Sequence, residues 1–243
     1  MELKLKNPHS ILAAIENRPE AVSQISFSGD LKKLDQSNDW FKVLELARSK
    51  KIRISSGQSN VDRSKIESGR GALGEALVTE RSPEEMESIL IKNPKNGIWL
   101  ALDCVQDPQN LGSIFRSAAF FGIKGILLPK DRTATITATV YDVASGGVEF
   151  VRHAMVTNLS RTIEDAKELG YWILGTSEHA DLPVSKVDRD RAWLVILGNE
   201  GKGMRRLISE ACDQVCTIPQ IGGVGSLNVS VASGILLSYL TSI

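Results

Sequence analysis

Beyond about residue 95 the chain alternates two textures. Short apolar runs, GIWLALD, GILLP, YWILGT, AWLVILG and VCTIP, each have strand length and mostly lack polar alternation. Strands buried on both faces read this way, so the pattern predicts a mostly parallel sheet covered by helices. The segments between them carry helical spacing and glycine stops. NLGSIFRSAAFFG ends at Gly122, ITATVYDVASGG at Gly146–Gly147, and NLSRTIEDAKELG runs from an Asn158 cap to Gly170. An α/β domain is therefore expected over residues 95–243.

Residues 1–76 predict a smaller α/β domain. NPHSILAAIEN reads as a helix with Asn7 as cap and Pro8 in its first turn, VSQISF as a strand, NDWFKVLELARSK as a helix and IRIS as extended chain. Residues 77–94 read as a linker. Within it, TERSPEEMESIL predicts a helix with a Ser82–Glu85 capping box and Pro83 at the first helical position.

Charge changes this picture little. The 29 basic and 29 acidic side chains balance, which gives no global attraction to nucleic acid but leaves room for local basic faces at ARSKKIR and DRSKIESGRG. Cys104, Cys212 and Cys216 lack metal-ligand spacing and read as reduced core thiols, so no metal is expected. No apolar run has membrane-spanning length, and the opening MELKLKNPHS lacks an export signal. The expectation is a cytoplasmic protein without a membrane partner.

Three segments leave a buried run and immediately present glycines with polar side chains. Ligands gather at such carboxyl ends in open α/β sheets. The first, LALDCVQDPQNLGSIFRSAAFFG, offers Asn110, Gly112 and Arg116, although Arg116 also reads as a surface residue with a buried stem. The second, LVILGNEGKGMRR, lacks the GxxxxGK[ST] spacing and places Glu200 where a phosphate would be repelled. Glu200 also fits a plain helix N-terminus. The third, IPQIGGVGSLNVSVASGILLSYL, brings Ser226 and Asn228 to a helix start, where capping accounts for one of them. Its glycines follow the last strand, which excludes a dinucleotide fingerprint.

In this order the three segments resemble the motifs of the SpoU/TrmH branch of the SPOUT methyltransferases. Asp107-Pro108, Asn110, Gly112 and Arg116 match the first motif; Gly198-Asn199-Glu200-Gly201 and Gly203 match the second. Ile218-Pro219 and Ser226-Leu227-Asn228-Val229-Ser230 match the third, and the likeness covers residues 97–243. It implies a SPOUT α/β knot, a deep trefoil at the carboxyl end, in which Gly198, Ile218 and Leu227 hold S-adenosylmethionine. It also implies a homodimer that carries Arg116 toward the partner's pocket. The two-domain layout is similar to members that methylate a guanosine of 23S rRNA and carry a small L30e-like RNA-binding domain at the amino end. Asn7-Pro8 stands where those members have a glycine before His9, and the closing His-Gln-Gly is absent, with RGALGEALV in its place.

The implied reaction is methyl transfer to an RNA ribose 2′-hydroxyl, with Asn110, Arg116, Glu200, Ser226 and Asn228 as catalytic residues. The family places the base at the arginine matching Arg116. A guanidinium practically never loses its proton, so Arg116 is expected instead to bind the target phosphate and polarise the hydroxyl, with water or Glu200 taking the proton. Lys202, Arg205 and Arg206, with Arg48, Lys50, Lys51 and Arg53 of the first domain, are candidate phosphate contacts. A tRNA ribose methyltransferase of the same branch and a non-catalytic RNA-binding or ribosome-assembly protein are the alternatives.

Overall fold

The computed structural model describes residues 1–28, 35–56 and 73–241; the DRSKIESGRG segment lies outside them. The chain divides into two compact units, Met1–Ser82 with Ile136–Phe150, and Pro83–Thr135 with Val151–Ile243.

In the first unit, strands β1 (Glu2–Leu5), β2 (Val22–Phe27), β3 (Arg53–Ser56) and β4 (Gly74–Thr79) form a sheet in the order β1-β4-β2-β3. β4 runs antiparallel to β1 and β2, while β2 and β3 are parallel. Helix Pro8–Asn17 starts as its sequence predicts, with the Asn7 side chain accepting from the His9 N–H at 2.9 Å. Ile11, Ile15, Ile25, Val43 and Val78 are fully buried between the helices and the sheet.

Residues 136–150, expected from sequence to belong with the 95–243 block, are compact with this first unit. The helix predicted there, Ala138–Ala144, stops just short of its expected glycine end, where Ser145 adopts a left-handed φ of 48°, and a short helix, Gly147–Phe150, follows. Polar ties hold the segment. Asp142 Oδ1 accepts from the backbone N–H groups of Lys6 and Asn7, both at 2.9 Å. Arg18 donates twice to Glu149, at 2.8 and 2.6 Å, with the carboxylate almost wholly buried. The bidentate geometry offsets the desolvation of that carboxylate.

The second unit carries a seven-stranded sheet in the order β7-β6-β5-β10-β8-β11-β9. Its strands are β5 (Gly97–Leu102), β6 (Ile126–Pro129), β7 (His153–Val156), β8 (Trp172–Thr176), β9 (Leu182–Pro183), β10 (Ala192–Leu197) and β11 (Gln214–Thr217). Every pairing is parallel. All six residues of β10 are buried, as are five of the six in β5, so the apolar runs are two-sided strands as their pattern predicts.

The connector differs from expectation. Only Met86–Ile89 is helical, and its Glu85 cap makes no side-chain bond, so the Ser82–Glu85 box does not form. Glu84 pairs instead with the β7 edge, donating its N–H to the His153 carbonyl at 2.8 Å, and its carboxylate meets Arg152 at 2.7 Å. That edge pairing keeps the chain extended where local propensity favours a helix turn.

Candidate functional site

Strands β5, β6 and β7 step outward in one direction, whereas β10 and β8 lie on the other side of β5. The order reverses at β5/β10, and the loops leaving those two strands meet at their carboxyl ends, the place where open parallel sheets bind ligands.

After β5 the chain turns into helix Pro108–Phe120. Asp107 caps it, accepting from the Gln109 N–H at 2.9 Å. Asn110 therefore sits in the first helical turn, 6% exposed, with its side chain free to reach outward. After β10 the chain makes a tight loop. Asn199 and Gly203 exchange backbone hydrogen bonds of 3.0 and 2.9 Å. A Cβ at Gly198 would lie 2.5 Å from Gly203 C and Met204 N, so the loop closes only over a glycine. The third element is helix Val229–Thr241, which packs against helix Pro108–Phe120. Asn228 caps it, its Oδ1 accepting from the Ser230 N–H at 2.8 Å and the Ser230 hydroxyl at 2.6 Å.

The three loops converge on one polar cluster. Asn110 Nδ2 donates to Glu200 Oε1 at 2.7 Å, and Asn228 Nδ2 donates to the same oxygen at 2.5 Å and to Asn110 Oδ1 at 3.0 Å. Asn228 thus uses its oxygen to start a helix and its amide to orient a carboxylate, which is why capping alone did not exhaust this segment.

Beside the cluster lies a cavity of about 650 Å³. Gly198, Glu200, Ile218, Ser226 and Leu227 all line it, together with Thr176–His179 at the end of β8. Its size falls within the roughly 300–1,000 Å³ of small-molecule sites. Ile221 and Val224 on the same loop are strongly exposed, and Leu227 is 45% exposed, so the rim is apolar. Ser226 lines the cavity but is outside the Asn110–Glu200–Asn228 network. Arg116 lies on the exposed side of its helix and makes no side-chain hydrogen bond or ion pair among the described residues. The chain by itself does not bring it to the cluster.

One residue not foreseen as important also shapes the site. Asp103, fully buried, accepts from the Arg205 N–H at 2.8 Å and from Arg205 Nε at 2.7 Å. Asn199 Nδ2 donates to the Cys104 carbonyl at 3.0 Å. Arg205, expected to meet phosphate, is therefore engaged within the fold. The only advance signal was the carboxylate of LALD placed at the end of an otherwise apolar run. Burial raises the cavity-lining Cys216 thiol to about 12, and it pushes Cys104 up as well, with Asp103 adding to the shift.

Residues 97–238, more than half of the chain, match the family described as SpoU rRNA Methylase. The chain belongs to the SpoU methylase family. This SpoU methylase is 36% identical over 241 residues to a Pseudomonas aeruginosa protein named 23S rRNA (guanosine-2′-O-)-methyltransferase RlmB, covering 96% of this chain and 94% of that one. It is 35% identical over 198 residues to the Bacillus subtilis protein named putative TrmH family tRNA/rRNA methyltransferase YacO, covering 81% and 80% of the two chains. The crystal structure of the SpoU methyltransferase AviRb from Streptomyces viridochromogenes, in complex with the cofactor AdoMet, superposes with a TM-score of 0.78 at 22% identity. It covers 99% of this chain and 89% of that one, which shows the common fold. Among the described residues no helix is long and apolar enough to cross a membrane.

Proposed function

We propose that this SpoU methylase transfers a methyl group from S-adenosylmethionine to a ribose 2′-hydroxyl in RNA, with a guanosine of 23S rRNA as its target. The observation that carries the reading is the Asn110–Glu200–Asn228 cluster at the edge of a cavity lined by Gly198, Ile218 and Leu227. The name carried by the Pseudomonas relative along nearly its whole length supports the rRNA target over tRNA.

The cavity residues suit the cofactor. Ile218 and Leu227 offer apolar walls, and Gly198 lets backbone approach closely. When bound there, S-adenosylmethionine supplies a methyl group on a sulfonium centre. The remaining work falls to the chain, which must hold the acceptor oxygen in line and accept its proton. Glu200 is oriented by two amides and is the carboxylate best placed to receive that proton, directly or through water. Arg116 binds the target phosphate and polarises the hydroxyl as a fixed charge.

Arg116 reaches a site by dimerisation in this account. Phe120, 83% exposed, lies one helical turn beyond it, and Val231 and Tyr239 on the adjoining helix are about half exposed. These exposed apolar side chains support a homodimer in which one protomer's Arg116 serves the other's cavity. The SPOUT trefoil belongs to the same proposal, as does an RNA-binding role for the L30e-like first unit, whose Arg48, Lys50, Lys51 and Arg53 are exposed. The purified protein tests the reading: labelled methyl groups should pass from S-adenosylmethionine to 23S rRNA and not to tRNA. Transfer to tRNA alone would move the assignment within the family, and no transfer to either would favour a non-catalytic binder.

A further inference from the structure

We propose that Asp103 and Arg205 are positioning residues that fix the Gly198–Met204 loop over the cofactor cavity, so that Arg205 acts on the donor side of the reaction and not on RNA phosphate. The inference rests on the reading of the cavity as the S-adenosylmethionine site.

The loop is held at both ends by one dipeptide. At its start, Asn199 Nδ2 donates to the Cys104 carbonyl at 3.0 Å, and Asn199 Oδ1 accepts from the Gly201 and Lys202 N–H groups at 3.0 and 3.2 Å. At its end, both carboxylate oxygens of Asp103 are taken by Arg205, one by the backbone N–H at 2.8 Å and one by Nε at 2.7 Å. Cys104 has a left-handed φ of 65°, a conformation a side chain adopts at a cost. Asp103 thus points to one end of the loop while the Cys104 carbonyl meets the other.

Glu200 lies between these two anchors, with its carboxylate against Asn110 and Asn228. Gly198, Lys202 and Met204 of the same loop line the cavity. Asp103 is fully buried whereas the Arg205 side chain is 45% exposed. A buried carboxylate is costly and adds little net stability over an apolar pair. What it supplies here is a defined end point for a glycine-rich loop that has no regular structure of its own.

The test compares the full-length wild type with Arg205→Ala, Arg205→Lys and Asp103→Asn. S-adenosylmethionine affinity is measured by calorimetry without RNA, well below each melting temperature, and RNA binding is followed against salt. Arg205→Ala should weaken S-adenosylmethionine roughly tenfold, the scale of one hydrogen bond to a charged group, and leave the salt slope of RNA binding unchanged. Arg205→Lys keeps the charge but loses the planar donor, and should recover only part of the affinity. Asp103→Asn, which turns an amide toward Arg205, should lose at least as much as Arg205→Ala. Unchanged S-adenosylmethionine affinity with a salt slope reduced by roughly 0.7–0.9 would make Arg205 a phosphate contact and overturn the proposal. A lower melting temperature with unchanged affinity would overturn it in favour of a purely structural pair. Failure of the wild type to bind S-adenosylmethionine would instead remove the reading of the cavity on which it rests.

Discussion

Asn110 Nδ2 donates to Glu200 Oε1 across 2.7 Å, joining the first turn of the helix after β5 to the loop after β10. Neither residue can turn away without losing a charge-assisted bond, and Asn228 closes the arrangement from the last helix. A carboxylate braced by two amides keeps its remaining acceptor positions in one place. Such fixed positions suit the proposed removal of a proton from a weakly acidic hydroxyl.

Asn228 permits its two roles to be separated. Asn228→Ala removes the cap of the last helix and the amide on Glu200, and should cost about 1 kcal/mol of stability together with activity. Asn228→Asp retains the oxygen that accepts from Ser230 but sets a second carboxylate against Glu200. The helix cap survives in that variant, so its loss of thermal stability reflects the carboxylate pair and should ease as pH falls, while methyl transfer is lost. Full activity in Asn228→Asp would detach the amide from catalysis.

Gly198→Ala would put a methyl group 2.5 Å from the backbone of Gly203 and Met204, with no flexible side chain to yield. Overpacking of this kind costs about 1–3 kcal/mol, relieved here by opening the loop. S-adenosylmethionine binding should fall sharply, as isothermal titration would show. Wild-type affinity in this variant would mean that the loop is not part of the cofactor wall.

Arg116→Ala should abolish methyl transfer and leave S-adenosylmethionine binding intact, since its side chain is exposed and away from the cavity of its own chain. Arg116→Lys keeps the fixed charge and should recover part of the turnover, with the shortfall measuring what the planar fork adds. Near-normal turnover in Arg116→Ala would remove this residue from the mechanism.

Alkaline pH should destabilise the fold more steeply than exposed side chains would predict. Burial raises Tyr141 from 10.0 to about 12, Cys216 from 9.0 to about 12 and Cys212 from 9.0 to about 11. Each folded value lies above the unfolded one, so these groups contribute fully below about pH 9. Their contribution is lost as pH rises toward about 12, because the unfolded chain ionises first. Urea unfolding across this range should show falling stability, with the slope eased by Tyr141→Phe. A flat profile would contradict the burial of these groups.

The parts of the fold that sequence disclosed are those where burial is two-sided. AWLVIL and GIWLAL announced β10 and β5 because no polar position interrupts either run. The Asn7 and Asn158 caps were legible because capping is local chemistry. β1 and β7, of four residues each, and β4 went unrecognised, being strands whose pairing is set by distant chain. The pairing of Glu84 with β7 was hidden for the same reason. At the site, the motif resemblance named Asn110, Glu200 and Asn228, and spacing alone would not have joined them. Asp103 escaped notice because a buried carboxylate shows its purpose only when Arg205 arrives 102 residues later.

The proposed target is the ribose 2′-hydroxyl of a guanosine in 23S rRNA. Mapping 2′-O-methyl groups across total RNA from cells with and without the gene tests it most directly. Cells without the gene should lose one 2′-O-methylguanosine from 23S rRNA, restored by the wild-type chain and not by an Asn228→Asp variant. A mark lost from tRNA, or an unchanged map, would contradict it.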